Sequence, residues 1–103
     1  IRQIMQHGKP IDAVFCASDT IAIGVMRALH QLGHHIPRDM AVMGFDDIPV
    51  ASFATPALST IQQDTSLAGE MLVDNVLRLI NNQAIVSTHI QPKLIIRQSC
   101  GTR

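Results

Sequence analysis

Two carboxylates, Asp46 and Asp47, stand directly after the apolar run Ala41-Val42-Met43-Gly44-Phe45, and Ser18-Asp19 follows a second apolar run, Ala13-Val14-Phe15-Cys16-Ala17. A carboxylate emerging at the end of a buried strand can accept hydrogen bonds from two neighbouring hydroxyls of a sugar, and such charge-assisted bonds are stronger than neutral ones. Asp46 is read as this ligand-facing acid. Asp47 is read as the cap of a short helix that follows, the commoner role of an Asp at such a junction. Asp19 opens a helix and suits the positive end of its dipole, so it is read as structural. The Ser18 hydroxyl can cap that helix or touch a ligand, and the amide of Gln63, which both donates and accepts, has the same two options.

Other chemistry finds little support. Gly24 falls inside a helical pattern and Gly44 inside a strand pattern, so neither makes a phosphate-binding strand-to-helix turn. No Gly-x-Ser-x-Gly nucleophile elbow occurs. His34-His35 lies in a polar turn without acids or cysteines at ligand spacing, and His7, His30 and His89 are isolated. Paired acids after a strand also hold Mg²⁺ in phospho-acceptor receiver domains and some phosphohydrolases, but those sites want a strand-end lysine, and Lys93 precedes its apolar run. No catalytic residue, metal ligand or cofactor is assigned.

The elements that must position these residues follow from periodicity. Apolar runs of strand length without alternation read as strands buried on both faces, as in parallel α/β sheets. The first is expected over 13–17 and the second over 41–45. Between them Ser18 or Asp19 caps a helix to about Leu32, with Gly33 as its stop. Its expected core stripe is Ile21, Val25, Leu29 and Leu32; Ile23, Met26 and Ala22 widen the apolar surface, so the helix is either deeply buried or covered by another subunit. This β-α-β unit should cross over right-handedly, leaving both acidic strand ends on one sheet edge, where small ligands bind in open α/β sheets. Pro49 starts a short helix over 48–54. A brief extended piece covers 58–63, and a helix runs from Asp64 or Thr65 to Ile80, with Ala68, Leu72, Val76 and Leu79 on one face. The segment 88–97 reads as extended, broken at Pro92. The opening, Ile1 to Gly8, reads as the last turns of a helix without a capped start, as if cut from something longer.

Composition bounds the partners. Eight basic and eight acidic residues are scattered across 103 residues, and there is no Trp or Tyr, so the chain offers neither a basic stripe nor stacking platforms for nucleic acid. No apolar stretch nears the ~20 residues that span a bilayer. The two cysteines make no disulfide framework, and a cytoplasmic setting is the simpler reading.

Six motifs in order, Asp12 to Asp19, Ile23-Gly24, Gly33 to Pro37, Val42 to Asp47, Pro56 to Ile61 with Gln63, and Leu94 to Ser99, strongly resemble the LacI/GalR family of bacterial transcription regulators. The resemblance runs nearly the whole chain without gaps. It implies the C-terminal part of an effector-binding domain of type I periplasmic-binding-protein fold: parallel-sheet, Rossmann-like α/β lobes with a sugar or nucleobase effector between them, incomplete in this chain. Residues 1–61 would belong to the C-terminal lobe, 62–91 would form a crossover and a helix packing on the N-terminal lobe, and 92–103 would return. Asp46 matches the family's effector-contacting acid, Gln63 a crossover residue able to face the pocket, and Ser18 a position where many members carry Asn. Ile23 falls on the helix that commonly forms the dimer contact, and Met26 and Phe53 are grouped with it as interface residues. The resemblance implies a homodimer that binds operator DNA only through a helix-turn-helix preceding residue 1. A periplasmic sugar-binding transport receptor is the alternative, and a Mg²⁺-dependent switch or phosphohydrolase a third class.

Overall fold

The computed structural model describes residues 1–101. The chain divides into two compact units, one made of Ile1–Gln62 with the segment from Leu94 onward, the other of Gln63–Lys93. In the first unit a short helix α1 (Arg2–Gln6) precedes strand β1 (Ala13–Phe15), helix α2 (Asp19–Gln31), strand β2 (Ala41–Met43), a 3-10 helix (Pro49–Phe53) and strand β3 (Thr60–Gln62). Helix α3 (Thr65–Ile80) belongs to the second unit, and strand β4 (Lys93–Ile95) leads back into the first.

Strands β1 and β2 pair in parallel, Ala13 opposite Ala41, Val14 opposite Val42 and Phe15 opposite Met43, with α2 as the crossover. The pairing extends beyond the strands through the Cys16 N–H, which donates to the Met43 carbonyl at 2.8 Å. On its other side β2 is bridged in parallel at Met43 to Ser59, and the Gly44 and Asp46 N–H groups donate to the Ser59 and Ile61 carbonyls at 2.9 and 2.8 Å. The expected β-α-β unit with its parallel sheet is therefore present, in an α/β fold. The ladder segments are three residues each, shorter than the apolar runs, because the runs continue past the paired registers into the turns that carry the polar residues.

The core gathers Cys16, Ala22, Met26, Leu29, Met40, Val42, Ala51 and Leu58. Three expectations need correcting. The buried stripe of α2 is Ala22, Met26 and Leu29, whereas Ile21 and Leu32 are about half exposed. The reason lies at the helix start: the Asp19 carboxylate packs against Gly44, where any Cβ would overlap it, so α2 approaches the sheet closely and presents small Ala22 instead of bulkier Ile21. Met26, expected at a subunit interface, is only 3% exposed and lies in this chain's own core. Likewise β1 is not covered on both faces: as the outer strand of the pair it leaves Phe15 exposed, while Val42 on the inner strand is fully buried. Desolvation raises the pKa of the Cys16 thiol above its ordinary value, and Cys16 and Cys100 are both free thiols.

Helix α3 starts where expected, with the Asp64 carboxylate accepting from the Leu67 N–H at 2.9 Å, and ends at Asn81 before Asn82 in the left-handed region. None of its residues is buried, and Leu72, Val73, Val76, Leu77, Leu79 and Ile80 are all exposed. Among the described residues no helix is long and apolar enough to cross a membrane.

Candidate functional site at the strand ends

The carboxyl ends of β1 and β2 are joined by a direct bond, the Asp19 N–H donating to the Phe45 carbonyl at 2.9 Å, which brings Ser18-Asp19 beside Phe45-Asp46 as the β-α-β reading requires. Ser18 is the N-cap of α2: its Oγ accepts from the Ile21 N–H at 3.3 Å. Its hydroxyl proton is still available to an acceptor, since capping uses only a lone pair. Gln63 is exposed and lies in the second unit.

Asp19 is fully buried, and both of its oxygens are engaged. Oδ1 accepts from the Thr60 hydroxyl at 2.6 Å and Oδ2 from the Ile48 N–H at 2.8 Å. It is a structural acid that ties the start of α2, β3 and the 3-10 helix to one point. Burying a carboxylate is costly unless hydrogen bonds replace its water, and these two bonds do so.

Asp46 is exposed, just beyond the carboxyl end of β2. Its backbone has φ 107°, and Asp47 follows at φ 52°. Positive φ at a residue other than glycine costs on the order of 1–3 kcal/mol and persists only where neighbouring structure enforces it. Here the Asp46 N–H is fixed to the Ile61 carbonyl at 2.8 Å, and Asp47 is fixed by its side chain. Asp47 does not cap the 3-10 helix, which has Ile48 at its cap position and no side-chain cap bond. Its Oδ1 instead accepts from Arg97 Nη2 at 2.8 Å and its Oδ2 from Gln62 Nε2 at 2.8 Å. The capping assignment failed because an acid before Ile-Pro reads as a cap, while Arg97 lies 50 residues away and periodicity cannot pair them. The two adjacent left-handed residues were also missed, although Asp is among the few residue types that tolerate that region.

Of the residues grouped as an interface, Phe53 is 82% exposed and Ile23 partly buried. The 3-10 helix that carries Phe53 is anchored to the core by Ala51 and joined to the start of α2 through the Ile48–Asp19 bond.

A family described as the periplasmic binding protein-like domain matches residues 1–100. The chain belongs to the LacI/GalR family, in its effector-binding domain. It is 37% identical over 101 residues to the ribose operon repressor of Haemophilus influenzae, an alignment covering 96% of this chain and 30% of that protein. It is 46% identical over 72 residues to a lactose operon repressor of Rhizobium radiobacter, covering 70% of this chain and 64% of the relative. Among solved structures, a lac repressor dimer bound to operator and the anti-inducer ONPF superposes with a TM-score of 0.87 at 33% identity, covering 95% of this chain and 35% of that one. The regulator CelR in complex with cellobiose superposes equally well, with a TM-score of 0.87 at 30% identity. The chain thus spans about a third of the length of most of these LacI/GalR relatives, and it is part of a ligand-binding regulatory domain of the kind found in transcriptional regulators.

Proposed function

We propose that this chain supplies the C-terminal share of a sugar-binding pocket in a cytoplasmic LacI-type regulator, with Asp46 as the acid that accepts hydrogen bonds from the effector's hydroxyls. The observation that carries the reading is Asp46 itself: an exposed carboxylate at the sheet's carboxyl edge, on a left-handed backbone that the surrounding bonds enforce. Ser18, beside it, offers a hydroxyl proton to a ligand oxygen. Residues 1–61 and 92–103 form the C-terminal lobe in this reading, and 62–91 the crossover and the helix packed on the N-terminal lobe. The exposed apolar stripe of α3 supports that assignment, since a stripe of this kind belongs against another element.

Effector occupancy is coupled to operator binding through a helix-turn-helix outside this chain. The regulator is a homodimer, with Ile23 and Phe53 at the contact and Met26 excluded by its burial. The relatives support these partners: one is a lac repressor dimer bound to operator, one a regulator in complex with cellobiose, and two are repressors of ribose and lactose operons. The test is calorimetric titration of D-ribose, lactose and cellobiose into the full-length protein and its Asp46→Asn variant. For whichever sugar binds, the variant should lose ~1.5–3 kcal/mol of affinity, the range for a hydrogen bond to a charged group. Operator binding without sugar should stay unchanged. Equal sugar affinities would remove Asp46 from the site.

A further inference from the structure

The effector reading leaves the second carboxylate of the pair without a task, yet both oxygens of Asp47 are engaged by side chains. Its oxygens are divided between two strands: Gln62, which holds Oδ2, is the last residue of β3, and Arg97, which holds Oδ1, lies just beyond β4. The chain leaves the first unit after Gln62 and re-enters it at Leu94. One carboxylate therefore gathers both connections to the second unit onto the turn that carries Asp46.

The ion pair is well placed to hold. The Arg97 and Asp47 side chains are 20% and 11% exposed, so solvent and salt screen them less than a surface pair. The guanidinium is anchored again through Nη1, which donates to the Leu58 carbonyl at 2.8 Å, and the Arg97 N–H donates to Ser59 Oγ at 2.8 Å. From the other side the Asp47 N–H donates to Thr60 Oγ1 at 3.3 Å, and that hydroxyl donates in turn to buried Asp19. A turn with two successive left-handed aspartates needs such support from outside itself.

We propose that Arg97 and Gln62, acting through Asp47, are positioning residues for the Asp46 carboxylate, so that both strands linking the two units fix the turn that presents the ligand-facing acid. This rests on the effector reading of Asp46 but is tested without any ligand. Amide hydrogen exchange in the full-length protein reads it directly. In Arg97→Met the Asp46, Asp47 and Ile48 N–H groups should exchange at least tenfold faster, while those of Met26 and Leu29 in α2 keep their rates. Arg97→Lys restores a cation that can reach Asp47 or Leu58 but not both in one fork, and should recover part of the protection. Gln62→Ala, at an exposed residue, should give the same local pattern at smaller amplitude, and it decides the matter if Arg97→Met loosens the whole unit. Unchanged exchange at 46–48 in both Arg97→Met and Gln62→Ala overturns the proposal, as does acceleration by Gln62→Ala that is uniform across α2 and the turn. Failure of the effector reading looks different: Asp46→Asn would bind sugar as tightly as the unaltered protein.

Discussion

Helices α2 and α3 are built to the same plan and end in opposite surroundings. Each opens on a side-chain cap, Ser18 accepting from Ile21 and Asp64 from Leu67, and each carries a continuous apolar stripe. Yet α2 buries Ala22, Met26 and Leu29 against the sheet of its own unit, while α3 buries nothing. The comparison separates two things that an amphipathic pattern combines. The pattern declares that a face is to be covered; what covers it depends on which elements the chain supplies. For α2 the cover is β2 and the turn around Gly44. For α3, on the lobe assignment proposed above, it is the N-terminal lobe.

The largest effects should separate the two helices. Leu29→Ala leaves a cavity in the core of the first unit and should cost ~2–5 kcal/mol in denaturant unfolding, in the 103-residue chain and the full-length protein alike. Leu72→Ala should cost less than ~0.5 kcal/mol in the 103-residue chain, as expected of an exposed position, and ~2 kcal/mol or more in the full-length protein once its stripe is covered. A Leu72 effect equally small in both would mean that α3 has no partner lobe, and the comparison would collapse.

The comparison also shows what periodicity can and cannot deliver. Both helices, their caps, the positive-φ Gly33 stop and the Pro49 start were legible because each depends on residues close in sequence. Parallel pairing of β1 with β2 was legible because two unalternating apolar runs flank a helix of crossover length. The orientation of α2 was not, since the pattern favours large side chains, while the close approach at Asp19 and Gly44 selects Ala22. The pairing of Asp47 with Arg97 was also hidden, because it joins residues whose proximity only the sheet creates. A chemical reading singles out Asp46 because an acid after a buried strand is conspicuous whatever its distant neighbours are, and its place just beyond β2 is what the proposed role rests on.

Smaller effects sharpen the likeness of the helices. Ser18→Ala and Asp64→Ala should each cost ~1 kcal/mol in the full-length protein, because a cap acts within one turn and does not depend on what the rest of the helix packs against. Thermal unfolding of the two variants side by side checks this, and a cap effect at only one end would show that the local equivalence is false. The smallest effect is expected at the exposed turn after α2. There the bond from Arg38, with the His35 N–H, holds the Asp39 carboxyl well below the usual carboxylate range. Because the folded-state pKa is depressed, the stabilisation is present above the unfolded pKa of about 3.9 and is lost as pH falls below it. Asp39→Asn should therefore make acid unfolding slightly shallower below pH ~4, and 1 M salt should erase the difference. A variant whose acid limb matches the parent at low salt would mean that the turn contributes nothing.

The central claim is that the acid at the end of β2 meets the effector. The most direct test is a crystal structure of the full-length protein soaked with whichever of D-ribose, lactose or cellobiose it binds. The account predicts two sugar hydroxyls within hydrogen-bond distance of the Asp46 carboxylate, with Asp47 still paired to Arg97 and Asp19 still buried against Thr60. A sugar seated elsewhere, such as the groove of about 410 Å³ along Arg2, Ile21, Gly24 and Ala28, with Asp46 facing only solvent, would contradict it.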